Sequence, residues 1–191
     1  MKALLLNGAG KNDPAAETIC KIFTDELNKC NHKVVLINLY ETEIAGCLGC
    51  FGCWIKTPGI CVIDDAGRDV AKSVVRSDLV IMVTPVTFGG YSYELKKALD
   101  RMIPIISPFF MKINGEIHHK PRYERYPKCI SVGILPEMDG EMAGTFTGLV
   151  TRNAINLHSP AYASGIALRS QSPEELREQV GKLLAEAGVK A

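Results

Sequence analysis

The chain has 191 residues, with 22 basic against 21 acidic side chains and 47% hydrophobic content. That length suits one domain over 1–191 with a proper core, and the cancelled charge gives no global field for nucleic acid or an anionic membrane surface. No apolar run reaches membrane-spanning length and the block Met1–Leu6 is too short for a signal peptide, so a cytoplasmic protein is expected.

Residues 2–7 form an apolar run ending at Asn7-Gly8, the pattern of a first buried strand. Asp13-Pro14 reads as an N-cap followed by proline in the first turn. Ile19, Ile22, Phe23 and Leu27 then recur at helical spacing, which predicts a helix over roughly 14–30. Lys33–Leu39 is a second strand-like run, and an irregular cysteine-rich loop follows over 46–64. A helix is expected over 65–76, capped by Asp64-Asp65, with Val70, Val74 and Val75 on its apolar side. Leu79–Thr84 is continuously apolar, as in a strand buried on both faces. Ser92 caps a helix carrying Leu95, Ala98, Leu99, Met102 and Ile103, which Pro104 stops. Residues 105–128 hold three prolines and no clear period, and read as an extended excursion. Cys129–Leu135 is another central strand, followed by a helix over about 139–152 and a last strand within 155–167, a segment interrupted by Pro160. Ser172-Pro173-Glu174-Glu175 is a capping box that opens a final helix with Leu176, Val180, Leu183 and Leu184 on one face.

Alternating strands and helices, with strands apolar throughout, imply a five-stranded parallel sheet covered on both sides. The expected fold is a three-layer α/β sandwich of the flavodoxin kind, in which ligands bind beyond the carboxyl ends of the strands at the topological switch point. Two loops meet there. Asn7-Gly8-Ala9-Gly10-Lys11-Asn12-Asp13 has glycines that let N–H groups turn inward beside a helix N-terminus, a combination that suits phosphate. It is neither G-x-G-x-x-G nor a P-loop, and a plain strand–helix turn also fits these residues. Thr84-Pro85-Val86-Thr87-Phe88-Gly89-Gly90-Tyr91-Ser92 sets an aromatic, hydroxyls and two glycines opposite, as the edge of a flat heterocycle would require. A glycine-rich loop with Phe88 merely packed is the plainer alternative.

Four of the seven cysteines, Cys47, Cys50, Cys53 and Cys61, follow the spacing C-x2-C-x2-C-x7-C. In a reducing compartment metal or redox chemistry is favoured over disulfides, and four such thiolates can hold an iron–sulfur cluster or zinc. Buried structural thiols are the competing reading.

Asn7-Gly8 after an apolar strand, the cysteine run ending in Asp64-Asp65, and Pro85-Val86-Thr87-Phe88-Gly89 leading to Lys96 and Asp100-Arg101 together resemble the NADPH-dependent FMN reductase family. More narrowly, the chain resembles its iron–sulfur flavoprotein branch, over residues 1–135. The resemblance implies non-covalent FMN in a homodimer or homotetramer whose interface helps enclose the flavin. Its phosphate would lie over Gly8, Ala9, Gly10, Lys11 and Asn12 with Thr18, and its isoalloxazine along Pro85, Val86, Thr87, Phe88 and Gly89 near Ser92. It also implies a [4Fe–4S] cluster on Cys47, Cys50, Cys53 and Cys61, although cluster-free relatives carry a similar Cys-Trp-x-Lys-Thr-Pro-Gly-x-Cys run. The phosphate loop departs from the family's Gly-Ser-Pro-Arg: Ala9 and Gly10 replace serine and proline, and Lys11 stands where arginine is expected. Lysine keeps the charge but not the bidentate geometry.

The expected function is an FMN-dependent oxidoreductase that draws on NAD(P)H or a small electron carrier and reduces a small-molecule acceptor. A non-catalytic flavodoxin-like module for redox sensing or metal binding is the alternative. Cys20, Cys30 and Cys129 read as core residues, and His118-His119 with Arg122-Tyr123 as an exposed polar loop that could also meet a nicotinamide phosphate. Trp54 either covers the flavin or packs the cysteine loop. No Ser/His/Asp arrangement is present, and hydride transfer through flavin needs none.

Overall fold

A computed structural model describes residues 1–190. The chain runs β1 (Lys2–Asn7), α1 (Pro14–Lys29), β2 (Lys33–Asn38), α2 (Gly52–Ile55), α3 (Ala66–Val75), β3 (Leu79–Pro85), α4 (Tyr93–Asp100), β4 (Ile106–Ile113), β5 (Glu116–Pro121), β6 (Lys128–Leu135), α5 (Gly140–Asn156), β7 (Tyr162–Leu168) and α6 (Pro173–Glu186). Short 3-10 turns occupy Leu39–Glu41 and Ile103–Ile105.

Five strands form one parallel sheet in the order β2-β1-β3-β6-β7. With β4 and β5 set aside, this is the doubly wound 2-1-3-4-5 order, whose switch point lies between β1 and β3. The period of two along each strand divides the core into two layers. Leu5, Ile81, Val83 and Ile130 meet Ile19 and Phe23 of α1 and Val180 and Leu184 of α6. Leu4, Leu6, Val80 and Met82 meet Val70 and Val74 of α3, Leu95 of α4 and Phe146 of α5. Asp13, Asp65, Ser92, Asp139 and Ser172 each accept an N–H of the helix they open, worth about 1 kcal/mol apiece. No helix among the described residues is long and apolar enough to cross a membrane.

The structure corrects several expectations. Within the segment 105–128, read as an extended excursion without defined elements, lies an antiparallel hairpin, β4 against β5, outside the five-stranded sheet. Asn114 and Gly115 supply its turn, with φ of 50° and 87°, and Asn-Gly is the pair that tolerates two left-handed residues in succession. Pro108 and a register shift between Ile106 and Phe110 blur the alternation, which hid the strand. His118 and His119 therefore lie on β5, half-buried, rather than in an exposed loop. The cysteine segment is not wholly irregular, since α2 lies within it. Helix α4 stops at Asp100, leaving Met102 and Ile103 outside it, while α5 extends to Asn156 and so delays the last strand to Tyr162. Among the cysteines read as core, Cys20 and Cys129 are buried but Cys30 is only half-buried, at the end of α1. Burial pushes the Cys20 thiol up to about 12 and that of Cys129 to about 11.

Candidate functional site

The two glycine loops meet at the carboxyl ends of β1 and β3 and are bonded to each other. Gly8 N–H donates to Val83 O at 2.8 Å, and the Ser92 hydroxyl donates to Gly8 O at 2.5 Å. Gly8 permits this approach, because a Cβ there would lie 2.7 Å from Leu95 Cβ and 3.0 Å from Ser92 Oγ. Buried Asn7 braces the turn: its Oδ1 accepts from Ala9 N–H at 3.0 Å and its Nδ2 donates to Asn38 at 3.1 Å.

Beyond Ala9 the backbone is open. The N–H groups of Gly10, Lys11 and Asn12 have no protein acceptor among the described residues, and Lys11 forms no ion pair there. Asn12 adopts the left-handed region at φ 60°, which reverses the chain just before Asp13 caps α1. Unpartnered N–H groups at a helix start make a cradle of the kind an anion fills, so these residues fit a phosphate. Thr18 lies on the second turn of α1 and its hydroxyl donates to Pro14 O at 2.7 Å. Ser92 likewise is engaged with Gly8 and with the cap of α4.

After β3, Val86 N–H donates to Ile134 O at 3.0 Å. Thr87 and Gly90 then exchange both backbone hydrogen bonds, at 3.0 and 2.9 Å, across Phe88 and Gly89. Both central residues are left-handed, φ 49° and 76°. Phe88 is 97% exposed, an apolar ring with nothing covering it at the mouth of the switch point. Gly89 lies against α5, where a Cβ would come within 2.7 Å of Thr145.

Cys47 and Cys50 are exposed, Cys61 half-buried and Cys53 buried on α2. Burial raises the Cys53 thiol, and the neighbouring thiols of Cys61, Cys47 and Cys50 would, once ionised, add to the rise. The four sulfurs do not converge: no three His, Cys, Asp or Glu side chains among the described residues are grouped to hold a metal ion.

Both ends of this loop are clasped by Arg101, a residue the sequence placed only within a motif. Its guanidinium is almost fully buried and makes two bonds to Asp65, at 2.7 and 2.8 Å. It also donates to Ala45 O at 2.8 Å, before the cysteines, and to Ile63 O at 3.1 Å, after them. Asp65 in turn accepts from Ala45 N–H and caps α3 through Gly67 N–H. Asp64, read as a second cap, instead pairs with Arg68 at 2.8 Å. Arg68 also donates to Cys61 O at 2.8 Å.

Trp54 packs the cysteine loop. Its indole N–H reaches Ile103 O at 3.1 Å and Ile106 O at 3.0 Å, and its ring lies between Phe51 and His119 at 5.2 and 4.8 Å. The loop is thereby pinned to the base of the hairpin. Trp54→Phe, which keeps the stack but removes the donor, is expected to cost about 1 kcal/mol. Urea unfolding measures that loss, and faster labelling of Cys53 by a thiol reagent reports the loosened loop.

Two comparisons at the sequence level bear on this arrangement. An iron–sulfur flavoprotein from Methanocaldococcus jannaschii is 27% identical over 119 residues, which is 61% of each chain. One from Archaeoglobus fulgidus is 29% identical over 101 residues, 53% of this chain and 48% of that protein. The chain thus matches about half to three fifths of the length of these relatives. Among solved structures, an NAD(P)H:quinone oxidoreductase from Methanothermobacter marburgensis superposes with a TM-score of 0.68 at 13% identity, over 95% of this chain and 96% of that one. An FMN-dependent NADH-azoreductase from Bacillus anthracis, solved with FMN, does so with 0.66 at 15% identity, over 98% and 97%. At such identities the likeness shows a shared flavodoxin-like fold. The sequence model described as NADPH-dependent FMN reductase matches residues 1–121, more than half of the 191, and the chain belongs to that family.

Proposed function

We propose that this protein is an FMN-dependent oxidoreductase that takes reducing equivalents from NAD(P)H or a small electron carrier and delivers them to a small-molecule acceptor. The observation that carries this reading is the pair of bonded glycine loops, with the unpartnered N–H groups of Gly10, Lys11 and Asn12 on one side and Phe88 and Gly89 on the other. Bound FMN would supply hydride acceptance together with one-electron chemistry. Lys11 and the unpartnered N–H groups of Gly10, Lys11 and Asn12 would hold its phosphate, and the Pro85–Gly89 turn would flank its ring and keep water from one edge.

We propose further that Cys47, Cys50, Cys53 and Cys61 are the ligand set of a [4Fe–4S] cluster. Support comes from the donor set itself and from relatives named iron–sulfur flavoproteins. The loop must draw the four thiols together, and left-handed Gly49, Phe51 and Gly59 give it the turns to do so. A homodimer is part of this reading. Phe51, Phe88 and Phe110 are exposed, and Phe51 and Phe110 both border the Trp54–His119 stack, so the cysteine loop and hairpin offer one apolar face for a second copy.

Titration of FMN, followed by quenching of its fluorescence, is expected to saturate at about one flavin per chain, with NAD(P)H oxidation in the presence of a quinone. Protein purified without oxygen should carry about four irons per chain. Cys50→Ser should abolish the iron and leave the flavin bound. A folded protein that binds no FMN would sink the enzyme reading and leave a thiol-bearing sensing module, for which exposed Cys47 and Cys50 are suited.

A further inference from the structure

Asp13 is a costly neighbour for a phosphate. It caps α1 beside the unpartnered N–H groups of Gly10, Lys11 and Asn12, where a carboxylate would repel a phosphate monoester. Arg169 meets it from the opposite edge of the sheet. That residue lies just beyond β7, its backbone fixed by a hydrogen bond from its N–H to Leu135 O at 3.0 Å. Its side chain reaches back across 156 positions of sequence and grips both carboxylate oxygens, at 3.0 and 2.8 Å. The Asp13 carboxylate is largely shielded, with 11% of its side chain exposed against 42% for Arg169. Burial works to raise the Asp13 carboxyl, but Arg169 and Ala16 N–H outweigh it and hold it below the ordinary range. It is therefore charged at neutral pH, and Arg169 is what cancels it. Glu17, in the first turn of α1, adds acid to the same end and has no cation paired to it among the described residues.

We propose that Arg169 is a positioning residue of the phosphate site: by pairing with Asp13 it cancels the charge of the cap and leaves Lys11 to meet an anion, so that the site selects a 5′-phosphorylated flavin over the unphosphorylated one. This rests on the FMN reading above. With Asp13, Lys11 and Arg169 the local trio carries one net positive charge. Arg169→Gln reduces that to zero, Asp13→Asn raises it to two, and the double substitution restores one. Asparagine caps helices as well as aspartate does, so Asp13→Asn preserves the start of α1.

The test is titration of the wild type and these three variants with FMN and with riboflavin at low ionic strength. Arg169→Gln is expected to weaken FMN about tenfold, the order for one uncovered charge close to a dianion near a protein surface. Riboflavin binding should change less than about twofold, because it lacks the dianion that the charge acts on. Asp13→Asn should tighten FMN, and the double variant should bind it like the wild type. Equal weakening of both flavins by Arg169→Gln, or no recovery in the double variant, would overturn the electrostatic role in favour of a merely structural one. If Arg169→Gln does not fold, Asp13→Asn decides: tighter FMN with unchanged riboflavin supports the proposal, and weaker FMN overturns it. A wild type that binds both flavins equally overturns this inference and leaves the flavin site standing. A wild type that binds neither overturns the FMN reading and this inference with it.

Discussion

Arg101→Met is expected to destabilise the protein by about 3–5 kcal/mol, the range for removing one partner of a buried ion pair. At this chain length that corresponds to a loss of roughly 10 °C in melting temperature. The substitution removes the charge that compensates Asp65 and leaves the carbonyls of Ala45 and Ile63 without their donor. The loss has a pH signature. Hydrogen bonds from Arg101 hold the Asp65 carboxyl below the ordinary carboxylate range, against the opposing effect of burial. A carboxyl depressed in the folded state stabilises fully above its unfolded value, and that contribution is lost as pH falls through the folded one. The gap between wild type and variant should therefore be widest at neutral pH and narrow below about pH 4. Denaturant melts at pH 7 and pH 3 measure both. A gap that did not change with pH would mean that Arg101 acts through packing rather than charge. Because the clasp spans the entry and exit of the cysteine loop, the variant should also, on the cluster reading proposed above, lose iron to a chelator faster than the wild type.

Gly89→Val is expected to cost about 2–4 kcal/mol and to abolish measurable flavin binding, since two penalties fall on one residue. A β-branched side chain is strained at φ 76°, and its Cβ would overlap Thr145 at 2.7 Å. Relief requires the turn to open, which breaks the paired bonds between Thr87 and Gly90 and moves Phe88. Thermal melts and FMN titration separate the two effects. Thr145→Gly in the same chain should recover part of the stability by removing the clash, and none of the part due to backbone strain.

Local signals in the sequence carried most of the architecture. Strands β1, β3 and β6 were readable because each is apolar throughout, and the helix starts at Asp13, Ser92 and Ser172 because a capping side chain acts within three residues of itself. The glycine loops were readable for the same reason. The hairpin was also encoded locally, in Asn114-Gly115, but proline and a bulge obscured its alternation. What stayed illegible is long-range pairing. Nothing in the neighbourhood of Asp13 points to Arg169, nor anything near Asp65 to Arg101, because each pair is brought together only by the packing of separate elements. The indole bonds of Trp54 belong to the same class. The spacing of the cysteines showed what they could bind, but not how far apart the folded loop holds them.

The bond between Ser92 and Gly8 joins residues 84 positions apart, and Arg169 arrives later still. During synthesis, the first loop leaves the ribosome long before the strand that shapes it, and longer before the arginine that neutralises its cap. Domains are completed as units while the chain emerges, so the cradle has no finished form until β7 has been translated. Flavin capture is then a late event. A chain broken off before β7 carries the Asn7–Asp13 glycine loop yet, on the proposed FMN reading, should remain colourless, a visible difference between finished and unfinished product.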